Sequence, residues 1–250
     1  MKNLIRKLID RIGYNVAKII PSDISSNNEF MELYALCKPY TMTSVERMYS
    51  LYLSVKYVLD NNIKGDFVEC GVWKGGSTML IASYLQLKGF SDRKIYLYDT
   101  FEGMTKPEEV DSSASHKPAI ATFLKKSTSD DSSSWCFSAI DEVQRNLLST
   151  GINKESLVFV KGKVEDTIPK TSPNQIVLLR LDTDWYKSTK HELIHLYPLL
   201  SKLGVLIVDD FGYWKGCKKA VLEFFKERKE HPLFNRIDGT GICLIKLRED

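Results

Sequence analysis

Apolar residues along this chain fall into two alternating kinds of run, one continuous and one spaced with a helical period. Short continuous runs are typical of buried strands, and helically spaced runs are typical of amphipathic helices. The pattern predicts helices over residues 29–38, 44–61, 78–89, 139–150, 164–168, 187–201 and 217–229. It predicts strands over residues 67–70, 94–98, 157–160, 176–181 and 205–208, then two short strands near 234–237 and 241–245.

Strands that alternate with helices indicate an α/β fold, in which a mostly parallel sheet has helices on both faces. The last two strands have no helix between them, so they predict an antiparallel hairpin at the end of the chain. We therefore expect a seven-stranded, mostly parallel sheet. In such a sheet, ligands bind at the carboxyl ends of the strands.

Residues 102–138 interrupt this pattern, because the periodicity disappears there and serines accumulate. A loop of this length within a compact domain is usually either disordered or a lid over a binding site. No linker-like stretch separates two complete patterns elsewhere in the chain. We expect a helical extension over residues 1–64 and one core over residues 65–250 that carries a lid over residues 102–138.

The first twenty residues have an amphipathic pattern with basic residues between the apolar ones. Charges interrupt every apolar run, which argues against a signal peptide or a membrane span. Two interpretations stay open: a helix that rests on an anionic membrane surface, or a helix that packs on its own domain or on a partner subunit. The apolar positions are Leu4, Ile5, Leu8, Ile9 and Ile12.

Composition and charge exclude several classes of protein. With 43% hydrophobic and 27% charged residues, the chain is typical of a globular domain. A net charge of +3, without a basic run interleaved with aromatics, argues against nucleic-acid binding. The five cysteines are odd in number and scattered, which indicates reduced thiols in a cytoplasmic protein rather than a disulfide framework or a zinc site.

A glycine-rich turn follows the first predicted strand, in the order Glu69-Cys-Gly71-Val-Trp-Lys-Gly-Gly-Ser77. Glycines let a ligand approach the backbone closely, and Ser77 is a candidate cap for the next helix. The spacing differs from the G-x-G-x-x-G fingerprint of dinucleotide-binding enzymes. Glu69 suits a cationic amino group, and Asp99, after the second strand, suits the two hydroxyls of a ribose. Together these features point to S-adenosylmethionine.

Four acids follow the fourth and fifth predicted strands, namely Asp182, Asp184, Asp209 and Asp210. If these strands are parallel neighbours, the acids meet at one sheet edge, where their repulsion favours a bound cation or a raised pKa. Oxygen ligands favour Mg²⁺, Mn²⁺ or Ca²⁺ over zinc. We expect Asp182, Asp209 and Asp210 to bind the metal and Asp184 to accept a proton. The alternative is that these are polar strand ends facing solvent.

Other polar and aromatic residues lie near these acids in the sequence. Arg180 is unusual within an apolar strand and is expected to pair with one of the acids. Six aromatic residues are expected near the mouth of the site, where sugar rings stack well on aromatic rings, with the alternative that half of them belong to the core. They are Trp135, Trp185, Tyr186, Phe211, Tyr213 and Trp214.

The chain resembles the macrocin O-methyltransferase (TylF/MycF-type) family, which methylates sugar hydroxyls of natural products. The resemblance rests on blocks in one order across most of the chain: YTMTSVER, GDFVECGVWKGGS, YLYDTFEGM, VKGKVEDTIP, LLRLDTDWYKST, LYPLLSKLGVLIVDDFG and IDGTGICL. It implies a Rossmann-like class I methyltransferase that uses S-adenosylmethionine and Mg²⁺, is commonly oligomeric and has a mobile lid.

Carried onto matching positions, the resemblance implies the same metal ligands, Asp182, Asp209 and Asp210, and the same base, Asp184. It implies cofactor contacts from Met42, Thr43, Glu69, Gly71, Ser77, Asp99 and Thr100, and from Asp166 near the adenine. The chain departs from the family at Thr183, where glycine is frequent, and at Trp185, where a smaller apolar residue is frequent. Both changes fall where the acceptor would bind, and residues 102–138 do not align with the family's lid.

Three functions are compatible with these residues. The leading one is a metal-dependent O-methyltransferase that acts on a sugar hydroxyl of a glycosylated metabolite, a nucleotide sugar or a surface glycan. The second is a glycosyltransferase, because Asp182-Thr183-Asp184 is a D-x-D triplet of the kind that binds Mn²⁺ and a nucleotide-sugar diphosphate. The third is a binding module that has kept the fold without activity.

Overall fold

The computed structural model describes residues 20–249, and in this part of the chain seven strands form one sheet. The sheet order is β3-β2-β1-β4-β5-β7-β6, with parallel pairing from β3 through β5 and antiparallel pairing of β7 with both β5 and β6. The predicted seven-stranded α/β fold with a C-terminal hairpin is confirmed. The strands are β1 Asp66–Cys70, β2 Ile95–Asp99, β3 Leu157–Lys161, β4 Ile176–Leu181, β5 Leu200–Val208, β6 Asn235–Arg236 and β7 Ile242–Ile245.

Helices cover both faces of the sheet. They are α1 Ser22–Ser25, α2 Asn28–Cys37, α3 Val45–Asp60, α4 Gly76–Lys88, α5 Ile120–Lys126, α6 Ile140–Leu148, α7 Val164–Thr167, α8 Tyr186–Leu196 and α9 Lys215–Glu227, with 3₁₀ turns at Lys38–Tyr40 and Lys154–Ser156. Successive strand residues point to opposite faces, so Phe67 joins the core under α1–α4 and α6 while Val68 joins the core under α7–α9. The α helices that precede residue 64 thus share one core with the sheet, and a domain boundary at that position stays a prediction.

Two expectations from the sequence are wrong in detail. The helix predicted over residues 187–201 ends at Leu196, because β5 is longer than predicted and begins at Leu200. Residues 102–138 contain α5, a short helix that was not predicted. Only Phe123 of α5 is buried, so its sequence lacks the apolar stripe that makes a helix recognisable.

Local signals place the long helix α3 where the sequence indicated. Ser44 is its N-cap, and the Ser44 hydroxyl accepts a hydrogen bond from Arg47 N at 3.1 Å. This cap sets the start of α3, and with it the position of Arg47, whose side chain reaches the sheet edge.

The predicted amphipathic segment at the start of the chain lies almost wholly outside the described residues. Within residues 20–249, no helix is long and apolar enough to cross a membrane. The five cysteines, all in the described part of the chain, are free thiols, as the sequence predicted.

Strand register brings the ends of three parallel strands together. Cys70 on β1 is level with Leu181 on β4, which is level with Val208 on β5. The next residue after each of these is therefore at the same sheet edge: Gly71, Asp182 and Asp209. This edge carries the site described next.

Candidate active site

A cavity of about 250 Å³ opens at the carboxyl edge of the sheet. It is lined by all but one of the predicted site residues: Met42, Thr43, Glu69, Gly71, Ser77, Asp99, Thr100, Asp182, Asp184, Asp209 and Asp210. Asp166 is the exception. In α7 Val164 is buried and Asp166 is exposed, and it is Glu165 that lines the cavity.

The turn between β1 and α4 requires its glycines. Gly71 and Gly75 have φ values of +84° and +88°, in the left-handed region that favours glycine. A Cβ on Gly71 would overlap the backbone oxygen of Asp182, so this glycine lets β1 and β4 approach closely. The expected helix cap at Ser77 is wrong: Gly75 is the N-cap, and Ser77 lies in the first turn with its hydroxyl 3.9 Å from Met48 Sδ.

Asp99 stabilises the same turn from the end of β2. Its Oδ2 accepts hydrogen bonds from Val72 N at 2.7 Å and Trp73 N at 3.1 Å, and its Oδ1 accepts one from Phe101 N at 2.7 Å. Burial raises the pKa of Asp99, and these backbone donors oppose the rise. Because a carboxylate has about four lone-pair sites, Asp99 can accept further hydrogen bonds from a ligand in the cavity.

Arg180 connects the two sides of the cavity. Its Nη1 contacts Glu69 Oε1 at 2.7 Å and Asp182 Oδ2 at 2.9 Å, while its Nη2 contacts Asp209 Oδ1 at 2.7 Å and Thr43 Oγ1 at 3.2 Å. The sequence predicted a pair with one acid, whereas the structure shows three. Burial alone would lower the pKa of Arg180, but the three carboxylates outweigh burial and raise it. A charged Arg180 therefore compensates buried negative charge that would otherwise destabilise the fold.

Two arginines contact the carboxylate of Asp209. Besides Arg180, the Nη1 of Arg47 contacts its carboxylate, and Asp209 is only 3% exposed. Its neighbour Asp210 lies with Asp182 and Asp184 instead, and one carboxylate oxygen of each lies within 4.8 Å of the others. The expected grouping of Asp182, Asp209 and Asp210 thus differs from the observed one. The reason is that Arg47 and Arg180 engage the carboxylate of Asp209, whereas the carboxylate of Asp210 lies beside those of Asp182 and Asp184.

The three grouped carboxylates are electrostatically crowded. Burial raises the pKa of Asp182 and of Asp210 well above the ordinary range, and neighbouring acids raise both further. Burial raises the pKa of Asp184 to about 7, with a smaller contribution from the charges of Asp182 and Asp209. Three oxygen donors in a negative pocket fit a hard divalent cation, which would relieve this repulsion.

Asp184 is the central residue of a tight turn. Its φ is +70°, and Trp185 N donates to Thr183 O at 2.8 Å, which defines a three-residue γ-turn of the strained kind. Strain of about 1–3 kcal/mol persists only where the surroundings hold the residue in place. This strain is a further indication that the orientation of Asp184 serves function.

Glu192 on α8 supports this turn and was not predicted from the sequence. Thr183 Oγ1 lies 2.9 Å from Glu192 Oε1 and 3.1 Å from Oε2, and Glu192 is fully buried. Burial raises the pKa of Glu192 well above its usual range. A buried acid in contact with the residue between two site carboxylates is the kind of group that helical spacing alone does not reveal.

Of the six aromatic residues expected near the mouth, three tryptophans pack in the core, as the alternative held, and none of the six lines the cavity. Trp185 and Trp214 are 3% and 7% exposed, and their ring centroids lie 5.0 Å apart in an edge-to-face contact. Trp135, from the segment over residues 102–138, packs on both. These rings belong to the core under α7–α9. Thr183 lines the cavity, whereas Trp185 does not.

Sequence comparison identifies the family. The Macrocin-O-methyltransferase (TylF) family profile matches residues 34–246. The chain belongs to the macrocin-O-methyltransferase (TylF) family.

Relatives of this TylF-family chain include characterised natural-product enzymes. It is 32% identical over 185 residues to the demethyldecarbamoylnovobiocin O-methyltransferase of Streptomyces niveus, covering 74% of this chain and 67% of that enzyme. It is 31% identical over 212 residues to the 8-demethyl-8-(2,3-dimethoxy-alpha-L-rhamnosyl)-tetracenomycin-C 4'-O-methyltransferase of Streptomyces olivaceus, covering 81% and 74%. The structure of the O-methyltransferase NovP superposes with a TM-score of 0.72 at 30% identity, covering 84% and 83%.

The TylF-family chain is therefore an O-methyltransferase that uses S-adenosylmethionine. Membership of this family does not favour the glycosyltransferase interpretation of the D-x-D triplet, nor that of an inactive binding module.

Proposed function

We propose that this TylF-family enzyme transfers the methyl group of S-adenosylmethionine to a hydroxyl of a sugar-containing small molecule, with a divalent cation bound at Asp182, Asp184 and Asp210. The observation that carries the proposal is the group of three carboxylates within 4.8 Å of one another in the cavity that also contains the glycine turn. A relative named for methylation of a rhamnosyl compound supports a sugar-containing acceptor.

The cofactor side of the proposed site is formed by the ends of β1 and β2. Asp99 is the last residue of β2 and Thr100 follows it, and Gly71 begins the turn that leads into α4. In open α/β sheets the acid after the second strand is suited to ribose hydroxyls, so we assign the ribose to Asp99. Met42, Thr43 and Ser77 complete the cofactor side, and Glu165 replaces Asp166 as the acid that lines the cavity near the predicted adenine position.

Glu69 contributes charge rather than a free carboxylate. Both of its oxygens are engaged, one by Arg180 and the other by Thr78 Oγ1, and it is 1% exposed. We expect it to influence the amino group of the cofactor through its field and through Thr43, which shares Arg180.

Asp184 is the proposed proton acceptor. With a pKa of about 7 it is partly deprotonated near neutral pH, which is the range in which a general base is most effective. When bound, a divalent cation would lower the pKa of a coordinated hydroxyl and orient it toward the methyl group. One oxygen of Asp184 can face the cation while the other accepts the hydroxyl proton, because the γ-turn holds the side chain in one direction.

Calorimetric titration and product analysis test the proposal. We expect S-adenosylhomocysteine to bind with and without Mg²⁺, and methylated products to form from a panel of glycosides and nucleotide sugars only when a divalent cation is present. Undiminished methyl transfer in excess EDTA would exclude the cation. Binding of UDP with Mn²⁺, in a protein that does not bind S-adenosylhomocysteine, would instead favour a glycosyltransferase.

The remaining predictions from the sequence concern the wider molecule. A lid function for residues 102–138, a homo-oligomeric state, a cytoplasmic location and a membrane or subunit contact through residues 1–20 stay predictions. Size-exclusion chromatography with light scattering, and flotation on anionic vesicles with and without residues 1–20, would test the oligomeric state and the membrane contact.

A further inference from the structure

In the two helices that follow the site acids, the side chain of the N-cap residue accepts no hydrogen bond from the first turn. Helix α8 starts at Tyr186, two residues after Asp184, and α9 starts at Lys215, five residues after Asp210. Their N-cap residues are Trp185 and Trp214, and an indole has no oxygen that could accept a backbone hydrogen bond. The first N–H groups of a helix need such an acceptor.

Asp111 supplies the acceptor to α8 from 75 residues away in the sequence. Its Oδ1 accepts a hydrogen bond from Tyr186 N at 2.9 Å, and its Oδ2 accepts one from Glu108 N at 2.9 Å. The Asp111 residue is 1% exposed. An acid at a helix N-terminus also interacts favourably with the helix dipole, so this contact stabilises the start of α8.

The same segment caps α9. Ser112 O accepts a hydrogen bond from Lys215 N at 2.9 Å, and Ala114 N donates to Tyr213 O at 2.7 Å. Gly216 leaves space for the contact, since a Cβ built there would overlap Asp111 Oδ1. Residues 111–114 are thus inserted between the first turns of α8 and α9.

Both helix starts are linked directly to the acids. Trp214 N donates to Asp210 O at 3.1 Å, and Trp185 N closes the γ-turn centred on Asp184. The rings of Trp185 and Trp214 touch, so the two strand-end loops form one packed unit. Movement at the start of either helix would therefore move an acid.

We propose that Asp111 is a positioning residue for methyl transfer: by capping α8 and packing against Gly216 of α9, it holds Asp184 and Asp210 in their mutual arrangement. It is absent from the lining of the main cavity in the described chain, so it acts through the two helices and not on substrate. This inference rests on the proposed function for the role of the carboxylates, but the structural link stands on the contacts alone.

The first test compares Asp111→Ala with a matched cap variant, Asn27→Ala. Asn27 caps α2 through its own side chain, which accepts from Phe30 N at 3.0 Å, and α2 does not contribute to the acid group. Loss of a helix N-cap is expected to raise the equilibrium constant for local unfolding of that helix start about fivefold. Two properties are measured: Mn²⁺ affinity by electron paramagnetic resonance, and hydrogen exchange of residues 182–188 and 210–216.

We expect Asp111→Ala to weaken Mn²⁺ binding about fivefold or more and to increase exchange in both stretches, with S-adenosylhomocysteine affinity unchanged within twofold. Asn27→Ala, at a comparable decrease in Tm, should change neither property. Asp111→Asn keeps an oxygen for Tyr186 N and should restore most of the Mn²⁺ affinity. Equal effects of the two alanine variants, or unchanged exchange in Asp111→Ala, would overturn the inference. If the unaltered protein binds no Mn²⁺, the proposed cation is wrong, and the exchange data alone decide the role of Asp111.

A second test approaches the same contact from α9. Alanine is a better helix former than glycine, so helix propensity alone predicts that Gly216→Ala raises Tm. Because the new Cβ would displace Asp111, we expect weaker Mn²⁺ binding and faster exchange near Tyr186 instead. Since the Cβ would also lie 3.0 Å from Tyr186 N, the double variant Asp111→Ala/Gly216→Ala should lose less Mn²⁺ affinity than the product of the two single losses. A Gly216→Ala protein with higher Tm and unchanged Mn²⁺ affinity would refute the proposal.

Discussion

On the side of the cavity formed by β1 and β2, the chain itself satisfies the carboxylates, whereas on the side formed by β4 and β5 three carboxylates crowd together. Asp99 accepts three backbone hydrogen bonds, and Glu69 is held by Arg180 and Thr78. Asp184 and Asp210, in contrast, lie beside one another and beside Asp182, with pKa values raised by burial. The carboxylates of the first side are held by groups of the protein, and Asp99 keeps room to accept a hydrogen bond from a ligand, whereas those of the second side acquire a balanced charge only when a cation or protons are added.

The two sides also differ in backbone conformation. On the cofactor side left-handed φ values occur at Gly71 and Gly75, where they carry no steric penalty, and at Trp73 and Phe101, whose N–H groups donate to Asp99. On the acid side the left-handed position is Asp184 itself, which needs support from Thr183, Glu192 and the docked segment at residues 111–114. The loops at the ends of β1 and β2 are thus held by glycines and by Asp99 at the same strand ends, while the turn at Asp184 relies on contacts from α8 and from the distant segment at residues 111–114.

Removal of Arg180 should have the largest effect, because it is the residue that joins the two sides. In Arg180→Met the buried carboxylates of Glu69 and Asp209 lose their common partner, and breaking a buried ion pair destabilises by about 3–5 kcal/mol. Urea unfolding measures the change. Lys56→Met, which removes an exposed ion pair with Asp60, is the control and should cost less than about 1 kcal/mol. Similar losses in the two variants would show that Arg180 is not the central electrostatic link.

Replacing one acid on each side should separate cofactor binding from cation binding. Asp210→Asn is expected to abolish Mn²⁺ binding and leave S-adenosylhomocysteine affinity within about twofold, since Asp210 lies on the acid side. Asp99→Asn is expected to weaken S-adenosylhomocysteine by about tenfold, as for loss of a hydrogen bond to a charged group, and to leave Mn²⁺ binding unchanged. Calorimetry with each ligand gives both values. The comparison fails if either variant loses both ligands in parallel.

Asp184→Asn tests the proton acceptor within the acid side. Loss of a general base lowers the turnover number by about 100-fold or more, and the turnover of the unaltered enzyme should rise with pH as Asp184 loses its proton. The rise occurs because only the deprotonated carboxylate can accept the hydroxyl proton, and raising the Mg²⁺ concentration should shift it to lower pH. A turnover number that is constant between pH 5 and pH 9 at the lowest Mg²⁺ concentration that supports activity would rule out Asp184 as the base.

A smaller effect is expected from the pair that supports the γ-turn. Thr183→Val keeps the shape but removes the hydroxyl, and Glu192→Leu removes the buried acid that contacts it. Residues in contact show coupling energies of about 0.5–3 kcal/mol, so the two changes should lower the turnover number by less together than their separate effects sum to. The turnover numbers of both single variants and of the double variant, measured in stopped assays, complete the double-mutant cycle. Purely additive losses would mean that Thr183 and Glu192 act independently.

The smallest effect is expected at Asp238, whose carboxylate contacts Arg47, as that of Asp209 does. Burial alone would raise the pKa of Asp238, but hydrogen bonds from Ser44 Oγ and from Gly241 N, with the charge of Arg47, lower it to about 2. A carboxylate with a lowered folded-state pKa stabilises the protein above about pH 4, and this contribution, at most about 2 kcal/mol, is lost as the pH falls toward 2.

The free energy of unfolding of Asp238→Asn should therefore approach that of the unaltered protein as the pH is lowered from 6 to 2.5. Asp60→Asn, at an exposed ion pair, serves as the control and should show little change across the same range. A difference between Asp238→Asn and the unaltered protein that stays constant with pH would contradict the assignment.

Features with a local signal were predictable from the sequence. Apolar runs ending in acids located β4 and β5, and alternation with helices implied that these strands are parallel neighbours, so Asp182 and Asp209 reached the same edge. The glycine turn after β1 was readable because left-handed φ values favour glycine. The quoted sequence blocks then indicated the family.

Features that depend on contacts between distant segments were not predictable. Arg47 reaches Asp209 across 162 positions, and this contact engages the carboxylate of Asp209, which lies outside the group formed by Asp182, Asp184 and Asp210. Asp111 reaches α8 from a segment without periodicity, and Glu192 looked like an ordinary helical acid. In each case a contact between distant segments sets the orientation of a carboxylate, and neither residue spacing nor composition predicts such a contact.

The shared guanidinium of Arg180 has a consequence for divergence within the family. Positions 69, 182 and 209 all draw on one positive charge, so they form an epistatic set. A lineage that neutralises one of these acids leaves Arg180 shared by two carboxylates instead of three, so the effect of a later substitution at Arg180 or at another acid of the set depends on that first change. Thr183, whose hydroxyl contacts Glu192 and not Arg180, lies outside this set.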